Sequence, residues 1–228
     1  PNRIVNQPME CNDADDDGNP TELTLQRYRS LAEGGAGIIN VEALTIGQES
    51  RARKNQLGIY EKTARGLEKL VQEMRGISRG SLILFQITHS GRQSGAEFSK
   101  VVSVYPAVGP TVQVLTEGEI EEIGNDFARA ALIAQQIGAN GIDFKHCHGY
   151  LGTEMLRPAN TRKDCFGGSF ENRTRFFAET SQKIKKAVGS GSFLLGVRFS
   201  VYEGIPGGFG IPGPEEVIED PSEPLAFA

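Results

Sequence analysis

This sequence predicts an α/β architecture of the (β/α)8 TIM-barrel type, carried through about five strand–helix units. Five short runs rich in β-formers recur along the chain, at Arg3–Val5, Gly37–Leu44, Ser81–Thr88, Gly141–His148 and Phe193–Ser200. Helical patterns fill the intervals between them. The fingerprint G-x-G-x-x-G, which an open dinucleotide-binding sheet carries after its first strand, is absent: the first run leads into Pro8-Met9-Glu10-Cys11-Asn12.

Most of the five runs are almost continuously apolar, as strands buried on both faces of a parallel sheet are. The first helical pattern, Thr21–Glu33, sets Leu23, Tyr28, Leu31 and Ala32 near helical spacing and stops at Gly34-Gly35. Thr63–Arg75 repeats the theme with Leu67, Leu70, Val71 and Met74. Glu117–Ile137 is the strongest: Thr116 and Glu119 make a capping box. Its apolar stripe runs through Ile120, Ile123, Phe127, Ala130, Ala131 and Ala134, and Gly138 supplies a stop. Glu171–Val188 presents Phe176, Phe177 and Ile184 on one side.

Alternating strands and helices form right-handed crossovers and a parallel sheet. Polar residues gather at the C-terminal ends of the strands, where barrel enzymes build their sites. Closing a barrel takes eight units and ~250 residues. Residues 1–228 are therefore expected to be a single incomplete barrel domain, with strands one to five present and the C-terminal units missing. Beyond Ser200 the chain is rich in glycine and proline, with one helical hint at Glu215–Glu219.

A net charge of -5 over 228 residues disfavours a nucleic-acid partner. No apolar run approaches the ~18 residues of a membrane span, so no membrane partner is expected. Cys11, Cys147 and Cys165 are odd in number and contain no C-x-x-C pair, which fits a reducing compartment and a cytoplasmic location. A small-molecule substrate is the expected partner, and self-association into a homo-oligomer is left open.

Two segments carry a family resemblance: GIDFKHCHGYL from Gly141, and RPANTRKDCFGGSFENRTRF from Arg157, which contains GGS-x-ENR-x-RF. Supporting matches arrive in order: Asn2-Arg3-Ile4-Val5, Pro8-Met9, Gly34-Gly35-Ala36-Gly37, Gln86-x-x-His89-x-Gly91-Arg92 and Val197-Arg198. Together they resemble the old yellow enzyme family from residue 2 to about residue 210. The resemblance implies FMN at the barrel mouth, NADH or NADPH as reductant, and hydride transfer to enones or related electrophiles.

It also implies site residues. Arg198 would meet the anionic edge of the reduced flavin, Gln86 its pyrimidine ring, and Pro8, Met9, Glu10 and Ala43 its remaining visible surface. Lys145 and His148 match the pair that binds the substrate carbonyl, and Tyr150 matches the proton donor. Two positions depart from the family pattern: Lys145, where the carbonyl pair is commonly His/His or His/Asn, and Glu10, where some relatives place a redox-sensitive cysteine that here comes one residue later as Cys11. Strand alternation sends residues three apart to opposite faces, so Lys145 and His148 converge only if the strand ends or bulges between them. GGS-x-ENR reads as architecture that starts a helix, and His146 and Cys147 as packing residues.

Two other readings compete. Adjacent His146, Cys147 and His148, with His89, could belong to a metal-dependent barrel hydrolase, although no carboxylate pattern accompanies them. An inactive fragment that does not bind FMN is the other, since barrel phosphate sites lie near strands seven and eight.

Overall fold

A computed structural model describes residues 2–106 and 112–228. In chain order the elements are β1 (Val5–Asn6), α1 (Glu22–Glu33), β2 (Ile38–Thr45), α2 (Ala64–Ile77), β3 (Leu82–Thr88), β4 (Val102–Ser103) and β5 (Gln113–Val114). They continue with α3 (Glu117–Gln136), β6 (Gly141–His146), α4 (Leu151–Leu156), α5 (Phe170–Val188), β7 (Leu194–Phe199) and α6 (Ser222–Phe227).

All five predicted strands join one sheet in the order β1-β2-β3-β6-β7. Every pairing in it is parallel. The spatial order follows the chain order without the reversal that marks a doubly wound sheet. This is the half-barrel that five consecutive βα units form. β4 and β5 make a separate two-stranded pair that the sequence did not announce, too short to carry a periodic signal.

The hydrophobic core lies between the outer face of the sheet and the helices. Ile39 and Val41, Ile83 and Phe85, and Ile142 and Phe144 supply the sheet side; Leu67, Leu70, Met74, Phe127 and Phe176 supply the helical side. The alternate residues Asn40, Gln86, Asp143 and Lys145 are buried but belong to no apolar cluster. The predicted capping box of Thr116 and Glu119 starts α3, and Ser169 caps α5 by accepting from the Asn172 amide.

The tail departs from expectation. Glu215–Glu219 is not helical; the helix of that region is α6, Ser222–Phe227. Pro221 stands at its N-cap and Pro224 in its first turn, where a missing amide hydrogen costs nothing because that donor has no intrahelical acceptor.

The GGS-x-ENR segment is architectural, as expected. Buried Arg173 donates to the carbonyls of Leu156 and Gly168 and pairs with Glu223, tying α4, the loop before α5 and α6 together.

His146 faces the helical side. Its ring lies 4.3 Å from that of Phe144 and 5.3 Å from that of Phe177, and Nε2 has no partner among the described residues. Burial pushes its pKa down to about 4, and the same cause takes His89 to about 4. An unfolded histidine titrates near ~6.5, so only the unfolded chain gains these protons between the two values. Stability is expected to be fully present above pH ~6.5 and to be lost as pH falls toward about 4, by about 3 kcal/mol for the fully buried His146 and by less for the partly exposed His89. Urea denaturation across this window checks it. A His146→Leu chain should show a shallower acid slope, and an unchanged slope would refute the role given to His146.

Candidate active site at the strand ends

Parallel register sets the site. Gln86 is the partner of Asp143, Asp143 of Gly196, and Lys145 of Arg198. Side chains at paired positions share a face, so the sheet presents two levels on its inner side. The lower level is an amide–carboxylate cluster. Asp143 Oδ2 accepts from Gln86 Nε2 at 2.6 Å and from Asn40 Nδ2 at 3.0 Å. Asn40 and Asp143 were not singled out in the sequence. Their signal was available, since Asp143 lies two residues before Lys145 on the same face.

The upper level holds two neighbouring cations, Lys145 and Arg198. Lys145 is 3% exposed, and its Nζ donates to Glu10 Oε1 at 2.6 Å. The ammonium also stands 3.7 Å from the centre of the Tyr150 ring. The Tyr150 hydroxyl reaches the same carboxylate, at 3.2 Å from Oε2. Burial, the Glu10 charge and this hydrogen bond together hold the phenol above its ordinary range, so it keeps its proton at neutral pH.

Arg198 is half-buried and lines an open cavity of about 290 Å³ with Gln7, Asn40, Asp143 and Gly196. Among the described residues no carboxylate lies within ion-pair distance of its guanidinium. Asn40 lines the same cavity, and its Oδ1 is buried with no hydrogen-bond partner among the described residues.

The strand break that convergence of Lys145 and His148 would need is present in the backbone. β6 ends at His146, and His148 and Gly149 both take left-handed conformations, with φ of 61° and 70°. The chain thereby turns back over the strand end, and Tyr150 becomes the N-cap of α4. Gly152 allows that helix to sit close: a Cβ there would stand 2.6 Å from the Lys145 carbonyl. His148 is exposed. Desolvation, Lys145 and Arg198 lower its pKa, which favours the neutral imidazole.

The other predicted residues differ widely in exposure. Pro8 is buried and anchors the loop after β1, while the Met9 side chain is 69% exposed. Ala43 is fully buried, and its carbonyl accepts from Gln56 Nε2 at 2.9 Å. The histidine–cysteine metal reading loses its geometry. His146 points to the helical side, Cys147 is buried, and His89 uses Nδ1 to accept from the Gly91 amide. Among the described residues no group of three or more His, Cys, Asp or Glu is placed to hold a metal ion. No described helix is long and apolar enough to cross a membrane.

The model of the NADH:flavin oxidoreductase / NADH oxidase family matches residues 1–215. An NADPH dehydrogenase of Clostridium acetobutylicum is 38% identical over 191 residues, covering 81% of this chain and 56% of that protein. A 2-naphthoyl-CoA reductase, solved with 2-naphthoyl-CoA, superposes with a TM-score of 0.88 at 26% identity, over 99% of this chain and 36% of its own. An old yellow enzyme from a Pichia species gives 0.85 at 26% identity, over 99% and 62%. The chain thus spans little more than half the length of the dehydrogenase. With the family model matched through all five strands of the sheet, the chain belongs to the NADH:flavin oxidoreductase / NADH oxidase family.

Proposed function

We propose that this chain carries the strand-end half of the active site of an FMN-dependent NAD(P)H oxidoreductase that reduces enones and related electrophiles. The observation that carries the reading is Arg198. It is a cation beside a second cation in register, with no counter-ion of its own among the described residues, and it lines an open cavity with Asn40 and Asp143. Such a set fits a planar, polar group with one anionic edge.

Arg198 and Gln86 would hold that edge. Pro8, Met9 and Glu10 would contribute backbone contacts from one side, and Ala43 a small buried surface from the other. The chemistry FMN supplies when bound is hydride transfer from NADH or NADPH to the β-carbon of an acceptor. This chain's residues do the rest. His148, as a neutral donor, would hydrogen-bond the acceptor's carbonyl oxygen. The Lys145 ammonium, paired with Glu10, would steady the Tyr150 ring beside it. Tyr150 would deliver its phenolic proton to the α-carbon. The likeness to 2-naphthoyl-CoA reductase extends the acceptor class to conjugated acyl thioesters, which carry the same carbonyl.

Fluorescence titration with FMN tests the reading. Saturable binding is expected, weakened at least about thirtyfold in Arg198→Gln, since loss of one partner of a desolvated charge pair costs on the order of 2 kcal/mol or more. No binding by the unaltered chain would favour the inactive-fragment reading, and equal affinity in both would remove Arg198 from the site.

A further inference from the structure

Glu10 and Lys145, the two departures from the family pattern, are 135 positions apart and form a single ion pair. We propose that Glu10 is a positioning and specificity-determining residue: it binds Lys145 and Tyr150 into one unit and withholds the Lys145 charge from ligands. The site accordingly accepts neutral carbonyl compounds and turns away carboxylates. The inference rests on the reading above, in which the flavin edge occupies Arg198.

The geometry carries it. Lys145 is almost wholly buried, and its ammonium is held between the Glu10 carboxylate at 2.6 Å and the Tyr150 ring at 3.7 Å. Its neighbour in register is another cation, Arg198, so without Glu10 two adjacent positive charges would share one level of the sheet. Glu10 comes from the far edge, on the loop after β1 where buried Pro8 fixes the backbone. One carboxylate oxygen takes the lysine, while both lie within reach of the tyrosine hydroxyl, at 3.3 and 3.2 Å.

A ligand carboxylate approaching Lys145 would therefore meet a resident carboxylate first, and like charges at close range in a desolvated site repel strongly. A neutral carbonyl oxygen meets no such opposition and can take its hydrogen bond from His148. The charged groups facing Tyr150 are Glu10 from the β1 loop, Lys145 from β6 and Arg53 from the loop after β2, with Cys147 and His148 beside it in the β6–α4 turn. Of these, only Glu10 touches both Lys145 and Tyr150 through hydrogen bonds.

Two measurements on Glu10→Gln test the assignment. The first is the ultraviolet titration of Tyr150, taken as the difference from Tyr150→Phe in each background. Ionisation is expected at lower pH once the carboxylate is gone. The second compares calorimetric binding of cyclohex-2-enone and cyclohex-1-ene-1-carboxylate to the FMN-loaded protein. The carboxylate is expected to gain at least about tenfold relative to the ketone in Glu10→Gln. Glu10→Asp, which retains the charge, should still reject the carboxylate. An unmoved Tyr150 titration, an unchanged affinity ratio, or a Glu10→Asp protein behaving like Glu10→Gln would each overturn the proposal. The tyrosine titration requires no flavin, so a failed FMN titration would sink the functional reading and leave this test standing.

Discussion

Tyr150→Phe is expected to slow enone reduction by about 10²- to 10⁴-fold, the contribution typical of a positioned general acid, while leaving flavin reduction by NAD(P)H unchanged. Hydride delivery to the β-carbon leaves electron density that must be met by a proton at the α-carbon. In the proposed function that proton comes from Tyr150, which stands at the start of α4 and against the ring-facing Lys145 ammonium. Because burial and Glu10 hold its pKa above the ordinary phenol range, the donor stays protonated throughout the neutral region. Its loss should thus depress the rate across the whole pH range rather than on one limb. Stopped-flow measurement of the two half-reactions separates the effects. An oxidative half-reaction as fast in Tyr150→Phe as in the parent would end the proton-donor assignment.

Glu203→Ala should destabilise the fold by about 3–5 kcal/mol, the cost of stranding a buried charge. Arg157 and Glu203 are 11% and 7% exposed at their side chains, and they meet in a two-pronged pair at 2.8 and 2.6 Å. Glu203 also accepts from the Phe209 amide at 2.9 Å, so its carboxylate ties the chain beyond β7 to the segment after α4. Removing it leaves the Arg157 guanidinium desolvated without its ion-pair partner. A fall of roughly 10 °C in the thermal midpoint is expected for a chain of this size. Arg157→Leu in the same molecule should restore part of the loss, because the stranded charge is then gone. A midpoint that hardly moves in Glu203→Ala would show that water reaches Arg157 freely. The pair bears on the site as well: a Cβ on Gly149 would lie 3.1 Å from Arg157 Nη2, so this guanidinium backs the turn that aims His148.

The sheet was legible because its strands are near-continuous apolar runs separated by long amphipathic helices, signals that need only local periodicity. Strand ends were less so. Gly141–His148 was read as one strand, whereas pairing stops at His146. Three-residue spacing between Lys145 and His148 did call for such a break, but only backbone angles reveal that two successive left-handed residues make it. Short elements escaped: β4 and β5 are two residues each, and α4 and α6 are six. None is long enough to repeat a pattern. Within the site, Lys145, His148, Tyr150, Gln86 and Arg198 could be named from motifs, and register brings Lys145 beside Arg198 and Gln86 beside Asp143. Pairings such as Glu10 with Lys145, or Arg157 with Glu203, join distant segments and leave no trace in local spacing.

The left-handed turn at His148 also bears on how this position can change through descent. A φ of 61° is strained for β-branched and bulky residues and tolerated best, after glycine, by Asn, Asp and His. Of these, Asn and His alone can donate a hydrogen bond to a carbonyl oxygen at neutral pH. They are a single base change apart, so lineages can pass between the two without crossing a misfolded intermediate. Backbone conformation therefore narrows the repertoire at this position before any demand of catalysis is applied.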